Sequence, residues 1–434
     1  MRSAWIPVVL LLATLLFTGA CTLSTEPYAP STQQPRAPAP LAPEVRPEAM
    51  STASAVDRDF EPVVVTGADL PEFLDTPTDS LFVYAYRDGD LEQIPFQVDE
   101  VTAGVYAATQ GSPLDEDDEL VFMASDLGDL PPDEELVATL PISSTWYRLE
   151  VSDPVNPTMR GWACLVRSSS LTQTFTETYA AFDPPTNQMT TTQYALGLAE
   201  NYPYFDHLAL NKTGVGILDR SKIRIETQYL GTHTEESLLL RLDSVGLVKD
   251  GPVRVIVREG SVIGYRGMFQ VSLIYALPPA LGVSAIRLST DFDEDAVPST
   301  YYNANIPAGV TVDGNPDSIA QEPPSLWWQL SGDTGTIVQV SDASQSGGTL
   351  LNYYRDDDTT PEPKPSGDGK SYGDSGLKVE SPNPTVSYRA VVYVLPPDQE
   401  NVGETYAGYF ENPLEVTATV VLPYRTHLPL VLRH

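Results

Sequence analysis

The sequence predicts an all-β protein: two antiparallel β-sandwich domains behind a signal peptide and a disordered Pro-rich tether. Three observations predict it. Short runs rich in β-branched and aromatic residues recur from residue 62 onward, separated by Gly, Pro, Asp and Asn, which is how strands and turns read in sequence. Some runs alternate cleanly. Lys222, Arg224, Glu226 and Gln228 share one face, and Ile223, Ile225, Thr227 and Tyr229 the other, the two-residue period of a half-buried strand. Finally, no stretch of 12 or more residues carries a 3.6-residue apolar period, so helices do not form the framework.

The elements follow in order. Residues 1–20 read as an export signal: Arg2 gives the positive start, 6–17 is a mostly apolar run, and Thr18, Gly19 and Ala20 are small. That run falls short of the ~20 residues that span a bilayer, so a cleaved signal fits better than a membrane helix. Residues 21–58 are a tether, with seven prolines between Pro27 and Pro47 and almost no large apolar side chain. Such a stretch has nothing with which to build a core. The first sandwich is expected over 60–170, with strands near 63–66, 81–86, 94–98, 119–124, 145–151 and 161–167. The second is expected over 173–434, with strands near 222–229, 237–245, 253–258, 268–276, 285–290, 326–330, 336–340, 386–395 and 414–421. Residues 355–385, rich in Asp, Pro and Gly, read as an exposed loop inside it. The tail from His427 to His434 reads as a terminal edge strand.

The position of Cys21, directly after the small residues, resembles a bacterial lipoprotein signal, in which that cysteine is lipidated and becomes the new N-terminus. The resemblance implies a head held on the outer face of a bacterial membrane by a lipid anchor and a stiff tether; plain secretion with cleavage near Ala20 is the alternative. Ile94-Pro95-Phe96-Gln97-Val98-Asp99, the acidic turn 115–119 and the following Leu120-Val121-Phe122 resemble the start of secreted β-sandwich proteins related to polysaccharide-lyase-like families. That resemblance covers about a quarter of the chain and implies a cell-surface setting. It carries over no catalytic residue. The tail also resembles the Leu-Pro-Leu-Val-Leu-Arg ends of some secreted bacterial proteins.

Charge narrows the function classes. The chain has 25 basic and 59 acidic residues, a formal charge of −34, so it presents no general field for nucleic acid. Two cysteines and four histidines are too few for an ordinary structural zinc cluster. Cys164 lies in an apolar run with no basic neighbour and reads as a buried, inert thiol. Acidity concentrates over 75–140, which holds 17 acidic residues against Arg87 alone. Asp115, Asp117 and Asp118 in one turn, and Asp291, Asp293 and Asp295 in another, offer the hard oxygens that Ca²⁺ prefers. Neither is an EF-hand. Solvated turns are the competing expectation.

Residues 211–270 run the other way, with nine basic side chains against seven acidic ones. Lys222 and Arg224 share a strand face, as do Arg254 and Arg258. If these strands adjoin, an anionic glycan could dock there, with Trp327 and Trp328 offering stacking faces. Cross-strand ion pairing with Glu226, Glu235, Glu236 and Glu259 is the alternative. A catalytic reading starts from Tyr204, His207 and Arg220, since lyases that remove a proton beside a uronate need a base and a cation. Gly373-Asp374-Ser375-Gly376 is similar to the nucleophile segment of trypsin-like proteases, but it lacks that family's context and reads as a turn. Two functions remain: an exported, lipid-anchored surface protein that binds a glycan or a surface protein without catalysis, or a carbohydrate-active lyase or hydrolase acting on an acidic polysaccharide.

Overall fold

The computed structural model describes residues 58–108, 112–132, 145–199, 205–237 and 246–422. All belong to one compact unit, 42–434. The signal, Cys21 and the tail from His427 lie outside the described residues, as does most of the expected strand at 237–245. The fold is all-β and antiparallel throughout, with a single α-helix, Gly403–Glu411, among the described residues.

The strands stack in four layers. The outermost is a five-stranded sheet in the order Glu415–Val421, Trp146–Ser152, Arg160–Arg167, Leu81–Arg87, Asp90–Gln93. It faces a three-stranded sheet of Pro62–Thr66, Glu119–Met123 and Phe96–Asp99. Val63, Val65, Leu120 and Phe122 from the small sheet meet Val83, Leu149, Val151 and Leu165 from the large one. This is the first sandwich, and it recruits the C-terminal strand: Val416 and Ala418 pack on its core. The expected boundary, with everything after 173 in the second domain, therefore breaks at 415. Pairing between residues so far apart in sequence leaves no local signal.

The third layer is a nine-stranded sheet whose central strands Trp327–Gly332 and Gly335–Asp342 are buried on both faces. One face packs on a four-stranded and a five-stranded sheet that together make the fourth layer. The other packs on the first sandwich and on the helix. The strand Thr385–Leu395 shows how sequence encodes this. Ala390, Val392 and Val394 enter one core, and Val391, Tyr393 and Leu395 the other. From Ala390 to Leu395 its apolar run is continuous because neither face meets water there. Glu119–Met123 does the same job one layer away, with Leu120 and Phe122 in the first sandwich and Val121 and Met123 against the nine-stranded sheet.

Several strands lie outside the expected runs, among them the whole four-stranded sheet Ala180–Asp183, Gln188–Thr191, Tyr194–Leu198 and Phe205–Leu210, and two further segments differ in kind. Tyr372–Glu380, read as loop and turn, is an inner strand of the five-stranded sheet Gly231–Thr234, Leu218–Thr227, Val283–Phe292, Tyr372–Glu380, Thr349–Arg355. Its glycine is needed there: a Cβ on Gly376 would lie 2.0 Å from the carbonyl oxygen of Leu288. Residues 356–371 and 381–384 connect strands, and within the longer connection Asp356, Asp357, Glu362, Ser366 and Ser371 are buried. The helix was unexpected because nine residues are too few for a readable period, although Tyr406 and Phe410 sit one turn apart on the face that meets the nine-stranded sheet.

Candidate functional site

The basic side chains proposed as a docking stripe are interior. Lys222 and Arg224 do share a face of Leu218–Thr227, while Ile223 and Ile225 turn into the core. That face is covered, not open. Lys222 bonds Asp291 and lies 3.7 Å from Asp374. Arg224 pairs with Glu235 and, at 3.0 Å, with Glu362. Arg258 donates to the carbonyl of Ala199 at 2.6 Å and is buried. None of them is displayed to an anionic glycan, because each desolvated cation is matched to carboxylates or carbonyls.

Arg254 has a different task. It is 1% exposed and joins the first sandwich to the nine-stranded sheet. Its guanidinium donates to Asp99 at 2.8 Å, to Glu119 at 2.6 Å and to the Tyr265 hydroxyl at 3.0 Å. It also lies over the rings of Tyr106 and Tyr265. Gln97 completes the joint by accepting the backbone N–H groups of Val253 and Arg254 and donating to Asp99. The approach is close enough that a Cβ on Gly251 would sit 2.2 Å from Gln97 Oε1.

The tryptophans are not stacking platforms either. Trp327 is buried, with its Nε1–H on Glu404 at 2.9 Å, and Trp328 packs edge-on against Phe292 at 5.9 Å. Of the catalytic set, Tyr204 lies outside the described residues. His207 is half-buried against Gly216, and Arg220 is tied to Glu236 at 2.8 Å.

The acidic turns fare differently from one another. Asp115 and Asp118 come together with Glu100, their oxygens within 4.8 Å of one another. Asp117 is outside this group and reaches the backbone N–H of Ala103 at 3.3 Å. Asp118 is fully buried and accepts the N–H groups of Val101 and Asp115. Burial pushes its carboxyl above the usual range despite those bonds. The second trio does not assemble. Asp291 faces Lys222 inside the sheet, Asp293 caps a short turn by accepting from Asp295 N–H at 2.9 Å, and Asp295 is exposed. Consecutive odd positions diverge because the strand ends at Phe292.

An open groove of about 730 Å³ lies beside the Arg254 joint. One wall is Leu81, Phe82, Phe96, Gln97 and Val98 of the first sandwich; the other is the 249–252 turn of the nine-stranded sheet, with residues 171–173 across the end. Its charges are Asp79, Glu100, Asp118 and Asp250 against Lys249. That lysine is spent in part on the carbonyl of Val98, 3.2 Å away. Asp250 accepts the N–H of Phe182 at 3.1 Å, and burial raises its pKa. Carboxylates beside aromatic and aliphatic walls suit a ligand with hydroxyls to donate and an apolar face to bury. Sequence reasoning missed the groove, since its walls lie far apart in the chain. The concentration of acid over 75–140 was its one local sign.

No protein-family model and no curated protein matches the sequence. Among solved structures, the chain resembles an alpha-mannosidase from Enterococcus faecalis V583, with a TM-score of 0.41 and 11% identity over 83% of this chain and 44% of that one. A glycosyl hydrolase family 38 protein from Enterococcus faecalis gives a TM-score of 0.38 at 11% identity, over 83% of this chain and 45% of that one. The chain thus spans less than half the length of either. Similarity at this level assigns no activity.

Proposed function

We propose that this is an exported, lipid-anchored surface protein that binds without catalysis, and that its ligand seats in the groove between the first sandwich and the nine-stranded sheet. The observation that carries the reading is the composition of that groove: three carboxylates that reach solvent (Asp79, Glu100 and Asp250), one engaged lysine, and the half-buried Phe96 side chain in its wall. A carboxylate accepts strongly from hydroxyl or ammonium donors and repels anions. The ligand class is therefore a neutral or cationic, hydroxyl-rich molecule such as a glycan. An acidic polysaccharide does not fit it.

The catalytic alternative loses its cations. Arg220, Lys222 and Arg224 are paired with the protein's own carboxylates and none of them lines the groove, so none neutralises a uronate there. Titration calorimetry with neutral and uronate-rich oligosaccharides tests the groove: heat from neutral ligands that disappears in Asp250→Asn supports it, and binding indifferent to that change refutes it. The anchor has its own test. Cys21→Ala should release the protein from membranes, and unchanged fractionation would remove the lipid anchor from the account.

A further inference from the structure

The groove leaves unexplained an arrangement on the far side of the molecule. In the five-stranded sheet of the fourth layer, Arg224 and Arg287 are direct cross-strand partners. Like charges placed opposite each other destabilise a sheet unless an anion lies between them. Here the anion comes from outside the sheet. Glu362, on the connection over residues 356–371, takes Arg224 at 3.0 Å through one oxygen and Arg287 at 3.0 Å through the other. The Tyr353 hydroxyl donates to the same carboxylate at 2.6 Å, and its ring stacks on the Arg287 guanidinium at 3.9 Å. Two guanidiniums, a phenol and an aromatic lid around one carboxylate form a built carboxylate receptor.

The strap that brings Glu362 is attached like something removable. Its ends are fixed: Asp356 accepts the N–H groups of Asp313 and Gly314, and Asp357 exchanges backbone bonds with Ser371. Between them, no residue of 358–370 joins a hydrophobic core. Contact with the sheet is polar throughout: Glu362, Ser366 on Arg224 and Glu235, Asp368 N–H on Asp219, Lys370 and Asp358 on the Tyr372 hydroxyl, and the Thr360 carbonyl on Arg355. Lifting the strap exposes polar groups and no core, so it belongs to the low-stability part of the fold. The sheet also keeps donors in reserve, since the Nε–H groups of Arg224 and Arg287 are buried with no hydrogen-bond partner.

We propose that the sheet face beneath residues 356–371 is a second ligand site, specific for a carboxylate on a hydroxyl-bearing body such as a sugar acid, and that Glu362 occupies the place of that carboxylate in the closed state. The ligand displaces Glu362, and the strap opens between its fixed ends. A tethered carboxylate competes at an effective concentration in the millimolar range, so the wild-type protein binds a free carboxylate weakly, and removing Glu362 unmasks the site.

The test uses D-glucuronate and its neutral methyl ester with the whole protein. Glu362→Ala should bind glucuronate at least about tenfold more tightly than wild type, by calorimetry. The ester should not bind, and Arg287→Met added to Glu362→Ala should abolish the interaction. A folded Glu362→Ala protein with no gain in affinity overturns the proposal, as does equal binding of the ester. If that variant does not fold, hydrogen exchange on the wild-type chain decides. Saturating glucuronate should accelerate exchange of the amides within 361–370, and unchanged rates overturn the proposal.

Discussion

Replacing Arg254 with Met tests whether one buried cation holds the first sandwich to the nine-stranded sheet. The variant keeps most of the aliphatic volume and removes the charge. Asp99, 2% exposed, then keeps only the Gln97 amide at 2.8 Å, and Glu119 keeps Tyr106 at 2.9 Å. Removing one member of a buried ion pair costs about 3–5 kcal/mol, most of it from stranding the partner. For a body of about 360 residues, a loss of about 4 kcal/mol lowers the melting midpoint by about 5 °C. Asp99→Asn in the same background should restore part of this, because a neutral amide needs no counter-ion. Urea unfolding of wild type, both single variants and the double variant closes the cycle, and a coupling above about 1.5 kcal/mol is expected. A loss below about 1 kcal/mol for Arg254→Met, or strictly additive single changes, would refute the idea that this network locks the layers.

Other outcomes follow from the same geometry. Burial alone would raise the Glu362 pKa, but Arg287 and the Tyr353 hydroxyl hold it down to about 2. A carboxyl depressed in the folded state stabilises above its unfolded pKa, and that contribution fades as pH falls from 4.5 towards 2. Exchange of the strap amides should therefore quicken across this window before the far-ultraviolet signal is lost; simultaneous loss of both would contradict a separately opening strap. Gly376→Ala forces a Cβ onto the Leu288 carbonyl and should cost more than about 2 kcal/mol in urea, whereas Gly408→Ala, with nothing within 4 Å, should cost little or stabilise the helix. Glu100, Asp115 and Asp118 lie close enough to share a divalent cation. Ca²⁺ at a hundred times its dissociation constant should then raise the midpoint by about 3 °C. Glu100→Gln should blunt the effect, and an unchanged wild-type midpoint would leave the trio as loop capping.

The strands were legible where each face of a run has one kind of neighbour. Residues 268–276 and 386–395 were read almost to their ends, because β-branched and aromatic side chains fill one apolar core from the first and two from the second. Tyr372–Glu380 was not, because its outward face meets an ion network in place of water or oil. Asp374, Ser375 and Gly376 look like a turn to any local rule. The cations misled for a related reason. A run of Lys and Arg on one strand face has the same sequence whether it greets a ligand or a buried Glu362 from 138 residues away. Pairing of Glu415–Val421 with Trp146–Ser152, and the groove itself, are made by distant segments. Two of the six expected calcium ligands, Asp115 and Asp118, do converge, and their third partner, Glu100, was in plain sight at the end of the strand Phe96–Asp99.

The central claim is that the groove takes a neutral or cationic, hydroxyl-rich ligand. Its most direct measurement is calorimetric titration of the wild-type protein against paired oligosaccharides of equal length, one neutral and one built of uronates. The account predicts saturable heat from the neutral member, lost in Asp250→Asn, and from the uronate only the weak binding that belongs to the strap-covered site and is indifferent to Asp250→Asn. Tight uronate binding that survives Asp250→Asn, with none from the neutral partner, would contradict it.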